Sequence, residues 1–214
     1  MTKEIVVITG ATGFIGGRVL QLLLQHNYNL RIVVRSVAKK EALVSNACLK
    51  GVGQADFFVI PDLLGLGALD DAVANAGYII HIASPLPLKG EIPPEHQYDK
   101  LINPAVQANL RVLEAAQNSR TIKRIVITSS AGAVMPLPLT LSLQDSLPEY
   151  VATGDDRIPE PAPPFANSFV AYLASKIAAL RASDKFMADK ELTFYVVNIQ
   201  PTYVLIVKLL VENY

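Results

Sequence analysis

The chain has 214 residues, 51% of them hydrophobic and 18% charged, with 19 basic residues against 19 acidic. That length suits one domain, or one domain with a small appendage, and a compact chain of this size buries roughly 70% of the surface its unfolded form exposes. Zero net charge argues against a nucleic-acid binder, and the single cysteine, Cys48, excludes an internal disulfide and a multi-cysteine metal site.

Met1-Thr2-Lys3-Glu4-Ile5 runs directly into a strand-like segment, with no sign of a leader peptide. The apolar runs fall short of the ~20 residues that span a bilayer. A soluble cytoplasmic protein with no membrane partner is expected.

Short, almost continuous runs of Val, Ile, Leu, Phe and Tyr predict strands over 4–9, 30–34, 55–60, 78–82, 124–128 and 194–199. Such runs suit parallel strands covered on both faces. Helix-period segments over 14–25, 38–47, 66–75, 104–118 and 169–188 lie between them. Strand and helix alternating in this way predict an α/β fold, a doubly wound parallel sheet in three layers.

After the first strand comes Thr9-Gly10-Ala11-Thr12-Gly13-Phe14-Ile15-Gly16. Glycines at 10, 13 and 16 suit a tight turn, a close approach of backbone to a diphosphate, and close helix–strand contact, respectively. The helix start then offers unpaired N–H groups to phosphate. The second strand ends at Val34 and is followed by Arg35, where an Asp or Glu would bind a free ribose 2′-hydroxyl. With Lys39, Arg35 suits a 2′-phosphate instead, so NADP(H) is the expected cofactor.

Two stretches break the rhythm, 85–104 with five of the 14 prolines and 136–164 with seven. Each follows a predicted strand, so both are expected to be long loops at the carboxyl edge of the sheet, where ligands bind. Glu91, Glu95, Asp145 and Glu149 are expected to be solvated in them. His81, inside a strand, reads as a packed residue, and Cys48 as buried.

Tyr172-Leu173-Ala174-Ser175-Lys176 puts a phenol and an ammonium four residues apart, on one face of the last helix. A nearby cation favours the phenolate. Ser130, at the end of the fifth strand, is placed to polarise a carbonyl. The expected catalytic set is Ser130, Tyr172 and Lys176.

On these motifs the sequence resembles the extended short-chain dehydrogenases/reductases of the NAD-dependent epimerase/dehydratase type, and among them the dihydroflavonol-4-reductase-like ketone and aldehyde reductases. The resemblance implies a Rossmann fold and cofactor contacts from Gly10, Thr12, Gly13, Phe14, Ile15 and Gly16, with Arg35 and Lys39 as the NADP-selective pair. It further implies that Asp62 and Leu63 lie next to adenine, that Ala83 and Ser84 line the cofactor, and that Tyr172 and Lys176 also touch it. Asn198-Ile199-Gln200-Pro201 is similar to the family's N-x-x-P, which adds Pro201 and Val204 to the cofactor contacts.

In that family a substrate-binding lobe follows, where residues 205–214 stand here. The expected division is therefore a dinucleotide-binding domain over 1–204 and an apolar tail over 205–214, with most of the lobe missing and a homo-oligomer favoured. The resemblance implies reduction of a small ketone or aldehyde, or oxidation of the alcohol, by hydride transfer. A non-redox cyclase, isomerase or dehydratase, and a silent cofactor-binding subunit, are the alternatives.

Overall fold

A computed structural model describes residues 4–26, 28–87, 90–136, 151–202 and 204. Six strands, β1 (Ile5–Thr9), β2 (Asn29–Val34), β3 (Asp56–Val59), β4 (Tyr78–His81), β5 (Arg124–Thr128) and β6 (Tyr195–Ile199), form one parallel sheet in the order β3-β2-β1-β4-β5-β6. Each predicted strand is present, shifted by at most one residue at either end.

Alternation along the strands sends side chains into two separate cores. Val6, Ile8, Ile32 and Val34 meet Leu20 and Leu23 of helix α1 (Phe14–Gln25) and Leu43 of helix α2 (Val37–Val44). Val7, Ile79, Ile125 and Ile127 face the other way, into helices α3 (Asp70–Val73), α5 (Asn103–Ser119) and α6 (Ser168–Ala188). The central strands are therefore apolar at almost every position.

β6 departs from that expectation. On it Tyr195, Val197 and Ile199 are exposed. They line up with Arg124, Val126 and Thr128 of β5, on a side that no described helix covers over this edge.

Helix lengths also differ. The predicted helix over 66–75 shrinks to α3, after Gly65 and Gly67, the latter at φ +71°. The predicted helix over 38–47 starts one residue earlier, where the Ser36 hydroxyl caps Lys39 N–H, and ends at Val44.

The largest correction concerns 85–104. Helix α4 (Pro94–Gln97) passes through a π turn (Tyr98–Ile102) into α5. Pro94 opens a helix at a position where a missing N–H costs nothing. The wider π turn sits where Pro104 has no N–H for the carbonyl four residues back, so the chain stays helical past the proline. Residues 137–150 of the second proline-rich stretch, with Asp145 and Glu149, lie outside the described residues, as does the tail over 205–214.

The strand order reverses between β1 and β4, and the crevice outside the carboxyl ends of strands at such a switch point is where open α/β sheets bind ligands.

Candidate active site

At the end of β1, Gly10 takes φ +75°, and a Cβ there would lie 2.5 Å from the Ala83 nitrogen. A Cβ on Gly16 would collide with the Gly10 carbonyl oxygen. The turn is therefore glycine-dependent at both ends. Between them Thr12, Gly13, Phe14 and Ile15 are exposed or half-exposed, and no side chain caps α1. Its first N–H groups thus have no side-chain partner, a suitable cradle for a diphosphate.

The approach of Gly10 to Ala83 is pinned by a buried contact. The Thr9 hydroxyl lies 2.7 Å from His81 Nδ1 and accepts a long hydrogen bond from Ala83 N–H. His81 is buried as expected. That burial, with Lys176 adding to it, pushes its pKa down to about 4, so the imidazole is neutral.

Ser84, the next residue after Ala83, reaches α6. Its hydroxyl accepts from Lys176 Nζ at 3.0 Å, while the Thr128 carbonyl lies 3.4 Å from the same nitrogen. Lys176 is only 6% exposed, and burial alone lowers its pKa to about 8. A polar cavity of about 10 Å³ adjoins it, lined among others by Ser84, Asn109, Thr128 and Ser129. Asn109, absent from the sequence expectations, donates to the Ser183 hydroxyl from a helix face otherwise built of Ala, Val and Leu.

One turn before Lys176, the Tyr172 phenol lies within the influence of the Ser130 hydroxyl, which acts to lower its pKa. Ser130 also accepts from Gly132 N–H at 3.2 Å, and Ala131 N–H donates to the Pro201 carbonyl at 3.0 Å. The 130–132 turn thus joins β5, α6 and the chain leaving β6.

The pKa of Tyr172 corrects the expectation of a favoured phenolate. Burial raises it, and the Ser130 hydroxyl only partly offsets that rise. The Lys176 ammonium, 5.7 Å from the Tyr172 ring centroid, is hydrogen-bonded to Ser84 and Thr128. In the free protein the phenol is therefore protonated at neutral pH.

The remaining residues expected at the cofactor follow the carboxyl ends of β2, β3 and β6. Arg35 is exposed just past β2 and Lys39 half-buried one turn into α2. Since Val33 pairs with Thr9, both start beside the glycine turn. Asp62 accepts from Leu64 N–H in a turn after β3, Leu63 packs on the α5 side of the sheet, and Val204 is exposed. Cys48 is exposed rather than buried. Glu91 is not merely solvated, since its carboxylate caps Ser168 N–H at the start of α6. Among the described residues no His/Cys/Asp/Glu cluster suits a metal ion, and no helix is long and apolar enough to cross a membrane.

A doubly wound parallel sheet with a glycine turn at its switch point is a Rossmann-like NAD(P)-binding fold. The chain belongs to the NAD dependent epimerase/dehydratase family, whose model matches residues 6–203. It is 37% identical over 209 residues to the Ketoreductase CTB6 of Cercospora nicotianae, covering 95% of this chain and 57% of that protein. Aldehyde reductase 2 of Sporidiobolus salmonicolor is 31% identical over 204 residues, covering 94% and 57%. The crystal structure of Gre2 from Candida albicans in complex with NADPH superposes with a TM-score of 0.75 at 25% identity, covering 94% of this chain and 58% of that one. The chain thus spans a little over half the length of the relatives it matches.

Proposed function

We propose that the protein binds NADP(H) and reduces the carbonyl of a small ketone or aldehyde, or runs the reverse oxidation. The observation that carries this reading is the buried Lys176 ammonium bonded to Ser84, next to the Ala83 against which Gly10 packs, with Tyr172 one helical turn away and the Ser130 hydroxyl acting on its phenol.

Both halves of the crevice suit a nicotinamide dinucleotide. The α1 N–H groups hold its diphosphate, Arg35 and Lys39 its 2′-phosphate, and Lys176 with Ser84 its nicotinamide ribose. When bound, that cofactor supplies or accepts the hydride at the carbonyl carbon.

The protein's side chains manage the oxygen. Ser130 donates to the substrate oxygen and stabilises the charge that develops there. Tyr172, protonated at neutral pH with its pKa raised further by burial, gives its proton to that oxygen, so a C–H and an O–H bond replace the C=O π bond. Lys176 stabilises the phenolate left behind until a solvent proton restores it. The named activities of the ketoreductase and aldehyde reductase relatives agree with this chemistry.

The test is NADPH absorbance loss against a panel of alkyl and aryl ketones and aldehydes, with Tyr172→Phe as control. Stoichiometric NADPH consumption that Tyr172→Phe abolishes is expected. Turnover that depends on Tyr172 without NADPH consumption would move the assignment to a non-redox lyase or isomerase.

A further inference from the structure

We infer that Glu91 is a positioning residue for Tyr172, acting through the first turn of α6. The inference rests on Tyr172 being the proton donor. The Glu91 carboxylate accepts from Ser168 N–H at 2.5 Å, and the Ser168 hydroxyl accepts from Ile92 N–H at 2.6 Å. Two consecutive loop residues therefore grip the first residue of the helix by its backbone and by its side chain. The grip is anchored in turn, because Gln97 of α4, 1% exposed, donates from Nε2 to the Ile92 carbonyl at 3.0 Å.

The physical case has three parts. Ser168 N–H is a first-turn donor that α6 has no carbonyl for, and the helix dipole there favours an anion. Ser168 lies four residues before Tyr172, on the same helix face and one turn away. Ile92 and Tyr172 also pack against one cluster, formed by Leu101, Ile102, Phe165 and Ala171 among others.

Tyr172 thus sits between two ties. Lys176 holds the following turn of α6 to Ser84 and Thr128, and Glu91 with Ile92 holds the preceding one. Helix ends fray most easily, and a reacting group needs its geometry held closely. The independent cap from Asn167 to Val170 N–H keeps the helix formed without Glu91. Loss of the carboxylate therefore alters the orientation of the first turn rather than its existence.

The test compares Glu91→Ala with Glu91→Gln, whose amide oxygen still accepts from Ser168 N–H. Two quantities are read. One is the ionisation of Tyr172 in the free protein, from the tyrosinate absorbance titration minus that of the same variant carrying Tyr172→Phe. The other is kcat and KM for NADPH in carbonyl reduction.

Glu91→Ala is expected to displace the Tyr172 titration and to lower kcat about tenfold, leaving the KM for NADPH within about twofold. Glu91→Gln is expected to restore both. A drop in melting temperature with titration and kcat unchanged would overturn the inference, as would an equal loss in the Gln variant. Should the wild-type protein reduce no carbonyl, the proposed function fails on its own, and the titration still decides the role of Glu91 without turnover.

Discussion

Lys176 Nζ and the Ser84 hydroxyl meet at 3.0 Å across 92 residues of sequence, and that contact ties the chain leaving β4 to α6. Its energetic background is unfavourable. Burial lowers the Lys176 pKa to about 8 from an ordinary 10.5, so the folded protein holds this proton less tightly than the unfolded chain.

The sign follows from linkage. Between pH 8 and 10.5 the unfolded state binds more protons at this group, so its contribution to stability rises with pH through that window. Near neutrality the buried ammonium costs about 3 kcal/mol. Lys176→Met is therefore expected to raise the unfolding free energy of the cofactor-free protein at pH 7 by about 1–3 kcal/mol while abolishing turnover. Denaturant titrations of both proteins at pH 7 and pH 10 check this, and the gap between them should narrow at the higher pH.

His81 gives the complementary acid-side prediction. Its pKa is lowered to about 4 from 6.5, first by burial and then by Lys176. Its contribution is fully present above pH 6.5 and is lost as pH falls towards 4, to the extent of about 3 kcal/mol. His81→Gln should flatten that part of the stability–pH profile, measured by urea unfolding from pH 7 to pH 4. An unchanged slope would show that the imidazole is not buried neutral.

For the chemical step, Tyr172→Phe is expected to abolish turnover with NADPH affinity nearly unchanged. Ser130→Ala should cost about 2–4 kcal/mol in the barrier, the usual size for one donor to a developing oxyanion. It should also push the Tyr172 ionisation higher still, because the Ser130 hydroxyl acts to lower it. Carbonyl reduction, which uses the protonated phenol, should persist to alkaline pH, and alcohol oxidation should rise there. Steady-state rates in both directions against pH test the pair of trends.

Cofactor choice is expected to rest on the basic pair beside the glycine turn. NADPH should bind more tightly than NADH, and replacing Arg35 and Lys39 together with Ala should remove most of that preference, about 2–3 kcal/mol for two charge-assisted contacts. Isothermal titration of both cofactors decides it, since equal affinities in the unmutated protein would contradict the assignment.

What the sequence determined by itself was local. Continuous β-branched runs specified six strands, and the alternation with helix-period segments specified a parallel sheet, because these patterns act within one element. The glycine turn and the Tyr172/Lys176 spacing were legible for the same reason, each lying within a few residues of chain.

Tertiary structure alone decided which distant groups meet and in what protonation state. The Lys176 ammonium hydrogen-bonds Ser84 and Thr128, so burial raises the Tyr172 pKa where spacing suggested a phenolate. Prolines that read as a loop proved compatible with α4 and the π turn once the helix could pack on α5 and α6. Glu91 read as a solvated loop acid, and only the folded chain brings it to the start of α6, 77 residues away. Periodicity records which face of an element is apolar, whereas contacts between elements and the desolvation they impose exist only after the layers have packed.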